Sequence, residues 1–577
     1  MFSNTERLNS SWLTKVLVIV LFLLAFFSPR LVEIDRFVAT DEGAWLYRSG
    51  DFLYALGQRD FANTYGQYHP GVLTLWVGAG ALLLEFPDYY KLGQGYFSEF
   101  SGYAAFLESN GVLPYDVMVT GRVIQIVLIG LVMAVSLILL IELIGTLPTG
   151  LAFVLLAVDP FLIALSRMFH LDAMMSALIL LSIVLFLIAG EFPDKRRMWL
   201  VFSGIAGGLA GLEKMTAVLI FPAMAVFLLL KESFGHRKEG KPIWTGIKNG
   251  IGDLILWGAA GLAAVFMFWP AMWVQPLGTS QALIRAAIGT TVGSIQTIGG
   301  EINITPTVFF FYNPLERSWR NYLAAFAWRT SPVILAGLIS AMAAWRMSAG
   351  AWKKPEIKKF SIGMLVFSGI YLIFMTVAAK QSQKYMLPAY VMINLIAGWG
   401  LYSIPELLEK IWKGKWVSRV GAVLVTAGLL VQVGLMLPHV PYYWTYYNPL
   451  LGGSERAGKT IFVGTGEGLD LAGAYLNTKP DAEDLKVVAW YGTGCLSFFF
   501  DGEVLPLNDN LWGEKERAGL GEADYLVLYS NLWFRNKPEA LLEGLTGIEP
   551  EKRIWLHGIE YARIYDVDDL PEELRGQ

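Results

Sequence analysis

The feature that most constrains this chain is a series of apolar runs long enough to cross a bilayer. A hydrocarbon core of about 30 Å takes roughly 20 mainly apolar residues of helix. Eleven runs fit that description: 11–27, 122–144, 149–165, 171–189, 198–211, 215–230, 251–272, 327–345, 360–378, 386–401 and 420–437. Only 16% of the 577 residues are charged while 55% are hydrophobic, against about 25% charged in soluble chains. A water-soluble enzyme, a disordered chain, a coiled coil and a collagen are all excluded. The chain reads as a polytopic α-helical membrane protein with about eleven transmembrane helices.

A twelfth run, 71–86, needs a decision, and positive charge makes it. Lys and Arg accumulate in short cytoplasmic connections. The connections 195–197, 231–248, 346–359 and 410–419 together hold 17 of them. With eleven spans, all four fall on the side of Arg7 and Lys15, so the N-terminus is cytoplasmic. A crossing at 71–86 would separate that end from the 17 charges, so this run is read as interfacial or re-entrant. The first run has no small-residue cleavage site before Pro29 and is read as an anchor in the plasma membrane.

The spans then bound a transmembrane domain, 1–437, with a long first outer loop (about 30–120) carrying interfacial helices and a second outer loop (about 273–326). Residues 438–577 form a tail with 23 acidic and 12 basic residues, whereas the rest holds 26 acidic and 33 basic. The tail alternates helical stretches with runs such as KVVAWY, ADYLVLYS and KRIWLHGIEYARIYDV, which suggests a small extracytoplasmic α/β domain. Cys495 is the single cysteine, so an internal disulfide and a Cys-based zinc site are excluded.

Ionisable groups are expensive within a membrane, so their placement is informative. Here they gather at the outer ends of spans: Asp41 and Glu42 after the first, His69-Pro70 before the interfacial run, and Arg122 at the second. Arg167, His170 and Asp172 share one turn, Glu213 and Lys214 another, and Lys380, Lys384 and Tyr385 a third. Each has an ordinary reading, as a solvated pair, a turn residue or a snorkelling cation. Asp172 is harder to dismiss, because a carboxylate at the apolar start of a span should pair with a cation or line a wet cavity. Arg167 and Arg122 are its candidate partners.

Such a set suits chemistry on a lipid-linked phosphate. Lys214, Lys380, Lys384 and the arginines are suited to hold a phosphate and neutralise it as it leaves. Asp41 is the outer carboxylate best placed to take a proton from an acceptor hydroxyl. Outer aromatics (Trp45, Tyr47, Tyr65, Tyr68, Tyr312, Trp319, Trp328) are able to stack on sugars, although an interfacial aromatic belt explains most of them. No P-loop, dinucleotide fingerprint or HExxH motif is present, and the glycine run in TIFVGTGEGLD lies in the tail, where nucleotide is scarce.

These residues resemble the GT-C superfamily of glycosyltransferases, family 39 type, similar to protein O-mannosyltransferases and lipid A aminoarabinose transferases. The likeness rests on Asp41-Glu42 after the first span, YHPGVLTLW, Arg122, the SRxxxLD turn and KQSQKYMLP, and it covers about the first 440 residues. It implies inverting transfer of a mannose-like hexose or related sugar from a polyprenyl-phosphate donor to a hydroxyl on the extracytoplasmic face. Asp41 is then the base and Glu42 its positioning neighbour. Asp172 is the second outer carboxylate, and Lys380, Lys384 and Tyr385 meet the donor phosphate, with Arg122, Arg167, Lys214 and His69 as further substrate-binding candidates. Gly71, Val72 and Leu73 depart from the mannosyltransferase pattern after His-Pro. The structural zinc site of the aminoarabinose enzymes finds no match beyond His69 and His170, so no metal and no cofactor is expected. The expected partners are the lipid-linked donor, an acceptor protein, glycan or lipid, and membrane lipid, without nucleic acid. A lipid or sugar transporter and a non-catalytic assembly protein remain as alternatives.

Overall fold

The fold is described from a computed structural model over residues 12–66, 69–228, 243–292, 294–298, 301–305, 318–378, 381–414, 416–507 and 512–576. Among them, seven helices are long and apolar enough to cross a membrane, or nine if each of two bent pairs counts as one span. The chain is an integral multi-pass membrane protein.

The first span, α1 (Trp12–Leu31), buries little beyond Phe22, Phe26, Pro29 and Arg30, as a helix facing lipid should. The long segment before the next span follows with α2 (Glu42–Gly57), α3 (Val72–Glu85), α4 (Tyr89–Leu92) and α5 (Phe100–Ser109). The interfacial run is α3, whose 14 residues rise only about 21 Å at 1.5 Å each, short of a crossing. Then come α6 (Pro114–Ile144), the pair α7 (Thr146–Ala157) and α8 (Pro160–Arg167) bent by 63°, and α9 (Leu171–Ala189). The bend is stapled by Asp159, whose carboxylate accepts from Leu162 N–H at 2.9 Å, capping α8, and from the Tyr390 hydroxyl at 2.9 Å. A buried carboxylate at a broken helix has a transporter reading; here the cap and Tyr390 account for it. Helix α9 is buried along nearly its whole length and forms the axis of the bundle.

The runs 198–211 and 215–230 form α10 (Arg196–Glu213) and the shorter α11 (Met215–Leu228), which fall below the length and hydropathy of the other spans. Glycines dilute α10 because it packs backbone to backbone on α12 (Ile243–Phe268): a Cβ at Gly204 or Gly208 would lie 2.2 Å or 2.3 Å from the carbonyl oxygen of Trp257 or Gly261. Small residues permit such close crossings in lipid. The segment after α12 holds α13 (Ala271–Val274), α14 (Pro276–Val292), the antiparallel pair β1 (Ser294–Ile298) and β2 (Glu301–Thr305), and α15 (Asn321–Arg329). The bundle closes with α16 (Pro332–Met347), α17 (Pro355–Val377), the bent pair α18 (Leu387–Tyr402) and α19 (Ile404–Ile411), and α20 (Val417–Met436).

The tail builds a five-stranded sheet in the order β4-β3-β5-β7-β6 from β3 (Lys486–Ala489), β4 (Glu503–Pro506), β5 (Tyr525–Tyr529), β6 (Lys552–Leu556) and β7 (Ile559–Asp566). β3 runs parallel to β4 and β5, and β7 pairs antiparallel with β5 and β6. Three of the runs read from sequence supply β3, β5 and the β6–β7 hairpin. The sheet's inner face joins the core of the helical body through Tyr442, Tyr443, Trp444, Val463 and Tyr529, and Phe498 packs on Phe100 and Tyr115 of the outer loop.

Helices α16 and α18 cross at Gly337 and Gly400, where a Cβ on Gly400 would stand 2.0 Å from the Gly337 oxygen. Gly400→Val should therefore cost about 1–3 kcal/mol by overpacking, read as a lower melting temperature in detergent. Gly434→Val on α20, with open space around its Cα, should leave that temperature unchanged.

Candidate active site

Asp41 stands at the N-terminal boundary of α2 but makes no capping bond to it, so its carboxylate points away into a cavity shared with Leu165, Met168 and Trp444. The side chain is 48% exposed into that space. Lys384, on the turn Gln383–Met386 before α18, donates to Asp41 Oδ2. His170 Nε2 lies 3.3 Å from the same oxygen and 3.3 Å from Lys384 Nζ. The ring's other nitrogen, Nδ1, is 3.1 Å from Asp172 Oδ2. Asp172 Oδ1 accepts from Lys214 at 2.8 Å, and that ammonium lies 3.9 Å from the Tyr385 ring centroid, a cation–π contact. Four segments distant in sequence thus converge on one network of two carboxylates, two ammoniums and an imidazole.

Electrostatics follow from this geometry. The Lys384 ammonium holds the Asp41 carboxyl well below the usual carboxylate range; burial opposes the shift and His170 adds to it. Two carboxylates and two ammoniums balance one another, which satisfies the requirement that buried charge be paired. The network is a candidate for proton transfer at Asp41 and for anion binding at Lys384 and Lys214.

Glu42 does different work. It is fully buried, and its two oxygens accept from Ala39 N–H (2.7 Å), Phe169 N–H (2.6 Å), Arg122 Nε (2.7 Å) and Arg122 Nη2 (2.5 Å). With four donors it has no oxygen left for substrate. It joins the start of α2 to the loop before α9, and so positions Asp41 beside His170. Arg122 completes the knot by donating to the carbonyls of Ile34 and Phe37, so it supports the site without lining it.

Arg167 does not pair with Asp172. Its guanidinium donates to the carbonyls of Pro29, Val32 and Glu33, closing the C-terminal end of α1, whose last carbonyls lack helical partners. Asp172 finds Lys214 instead. His69 opens the segment into α3, where Gly71 N–H donates to the Glu213 carbonyl at 3.1 Å. Lys380, Tyr68 and Tyr312 lie outside the described residues. The glycine run of the tail is a docking turn: Thr40 N–H donates to the Thr465 carbonyl at 2.9 Å, and Glu467 turns back on Thr465 N–H at 2.7 Å.

Two contributors carry no recognisable role in the sequence. His170 is two residues from Asp172, and only its placement between two carboxylates gives it meaning. Arg329 is buried, donates to Gln383 Oε1 at 2.8 Å and to the Trp444 and Tyr446 carbonyls, and stacks on Trp444 and Tyr447. Gln383 also donates to the Phe462 carbonyl at 2.9 Å, so the Lys384 turn is fastened to the tail.

A zinc site does not fit here. His170 turns one nitrogen to each of two carboxylates already held by lysines, and among the described residues no group of three or more His, Cys, Asp or Glu is arranged to hold a metal ion. The buried Glu42–Arg122 pair yields a test. Removing one member of such a pair costs about 3–5 kcal/mol, while replacing both with apolar groups is often near neutral. Arg122→Met should unfold the chain at a markedly lower temperature in detergent, and Glu42→Met/Arg122→Met should recover most of the difference.

Residues 115–247 match the family model described as dolichyl-phosphate-mannose-protein mannosyltransferase. No curated protein matches in sequence. Among solved structures, the chain is similar to the Saccharomyces cerevisiae protein O-mannosyltransferase Pmt1-Pmt2 complex bound to the sugar donor, at 12% identity, 79% of this chain, 93% of that one and a TM-score of 0.50. ArnT from Cupriavidus metallidurans bound to undecaprenyl phosphate aligns at 13% identity over 97% and 98% of the two chains, with a TM-score of 0.45. Archaeoglobus fulgidus oligosaccharyltransferase AglB, in complex with an inhibitory peptide and a dolichol-phosphate, aligns at 11% identity over 91% and 70%, with a TM-score of 0.46. The family match lies across α6 to α11, and the likeness to the Pmt1-Pmt2 complex, at 12% identity, is one of fold.

Proposed function

We propose that the chain moves a mannose-like hexose or related sugar from a polyprenyl-phosphate donor to an acceptor hydroxyl, with inversion, on the extracytoplasmic face of the plasma membrane. The observation that carries the reading is the contact between Asp41 and Lys384: a carboxylate suited to take a proton touches a cation suited to hold a phosphate. The sugar donor bound by the Pmt1-Pmt2 complex supports a lipid-linked sugar as the class of substrate.

The reaction is a single displacement. The acceptor oxygen attacks the anomeric carbon as its proton passes to Asp41, and the bond from that carbon to the phosphate oxygen breaks. Negative charge grows on the departing phosphate, where Lys384 and, behind it, Lys214 stabilise it. The sugar passes through an oxocarbenium-like state, and the leaving phosphate needs no proton because cations meet its charge. Lys384 then has two duties. In the free chain it keeps Asp41 ionised. When it turns to the donor phosphate, its hold on Asp41 weakens, and the carboxylate becomes a stronger base in the complex that needs one. His170 keeps the carboxylate oriented through the exchange, and Asp172 with Lys214 anchors His170.

Asp41→Asn should lower transfer by about 10²–10⁴-fold with normal membrane insertion; unchanged transfer would remove Asp41 from the role of base. The pH dependence tests the second duty of Lys384. A carboxyl lowered by a neighbouring cation stays ionised as pH falls, so the acid limb of kcat/KM, which reports the free enzyme, should lie below the ordinary carboxylate value of about 3.9. The limb of kcat, which reports the substrate complex, should lie at higher pH. In Lys384→Gln the two limbs should coincide near the ordinary value.

A further inference from the structure

A second polar cleft opens farther along α2. It has a volume of about 180 Å3 and is lined by Tyr47, Arg48, Asp51, Asn63 and Phe97, well above the roughly 10–15 Å3 that one water molecule needs. None of these residues belongs to the charge network around Asp41.

Its chemistry is specific. The Arg48 guanidinium carbon lies 5.2 Å and 5.3 Å from the ring centroids of Trp45 and Tyr47, so it stacks on rings and leaves its N–H edge for a ligand. Asp51 Oδ1 accepts from Phe97 N–H at 3.0 Å. Asn63 donates its amide to Asp60 at 2.7 Å, which keeps its carbonyl oxygen as an acceptor. A carboxylate beside the arginine disfavours a phosphate, and although Phe52 and Leu75 also line the cleft, its two charged side chains disfavour an acyl chain. Donors and acceptors set among aromatic edges match a ring bearing several hydroxyls.

The cleft is also joined to the reacting centre. Asp41, Trp45, Arg48 and Phe52 follow one another at helical spacing and share a face of α2. Trp45 stands edge-on to His170, with centroids 6.4 Å apart, and its indole carries Arg48 on the other side. At 1.5 Å per residue, Arg48 and Asp51 lie roughly 10 and 15 Å along the helix from Asp41. That is too far for the sugar being transferred and within reach of a short glycan whose end lies at Asp41.

We propose that this cleft binds a pyranose ring of the acceptor, so that the chain elongates or decorates a glycan. The inference rests on the glycosyl-transfer reading above and names the acceptor class for it.

The experiment uses the full chain in lipid nanodiscs and saturation-transfer NMR with methyl α-mannoside as the probe, a readout that needs no turnover. Saturation should reach the sugar in the wild type and fall at least fivefold in Arg48→Ala and in Asp51→Asn, each checked for monodisperse elution. Lys91→Ala, an exposed outer-loop residue paired with Asp88, should retain the full signal. No saturation in the wild type, or equal saturation in both cleft variants, overturns the proposal. Loss of the signal when a polyprenyl-phosphate sugar is added assigns the ring to the donor and overturns the acceptor assignment. An Arg48-dependent signal from a Ser-rich peptide, without one from the sugar, overturns it in favour of a protein acceptor. Because transfer by Asp41→Asn is measured separately, failure of the reaction and failure of the cleft are distinguishable.

Discussion

The site depends on one constraint: charges withdrawn from bulk water at a membrane boundary must be paired. Asp41, Lys384, His170, Asp172 and Lys214 come from the first outer loop and three later turns, and each would be costly alone. Together they form a neutral line. The chain therefore cannot place its base without also placing its cations. That coupling makes the ion pair more than a stabilising contact, because a donor phosphate competes with Asp41 for the same ammonium.

Around that line, other buried charges act on backbone. Glu42 and Arg122 tie α2, α6 and the turn before α9 together. Arg167 ends α1, and Arg329 fastens the Lys384 turn to the tail. These groups look like the reacting ones in sequence, since all are ionisable residues beside apolar runs. They differ in what they face: carbonyls and N–H groups for the supports, an open cavity for Asp41. The tail contributes through its Gly466 turn, where a Cβ would lie 2.2 Å from the Val38 oxygen, so the soluble sheet and the start of the outer loop are in direct backbone contact.

Apolar run length revealed the bundle, because a helix in lipid has to be long and uncharged; the glycine-rich α10 is where that signal weakens, since close packing replaces bulk. Period and β-branching revealed β3, β5 and the β6–β7 hairpin, while β4, four residues ending in proline, carries too short a pattern to read. At the site, Asp41, Asp172, Lys214 and Lys384 were legible as ions at one depth. The partner of Asp172 was not: sequence nominated arginines, and the fold supplies Lys214, because Arg167 is consumed by α1 carbonyls. Glu42 read as a companion of Asp41, and four donors occupy its oxygens. His170 and Arg329 were invisible in these roles, since hydrogen-bond partners across 54 to 214 residues leave no local pattern.

The most direct test is a structure of the chain in lipid with a polyprenyl phosphate bound. The account predicts the phosphate in the cavity beside Asp41, with Lys384 transferred to a phosphate oxygen and Asp41 still held by His170. A phosphate bound elsewhere, with the Asp41–Lys384 pair undisturbed, would contradict it.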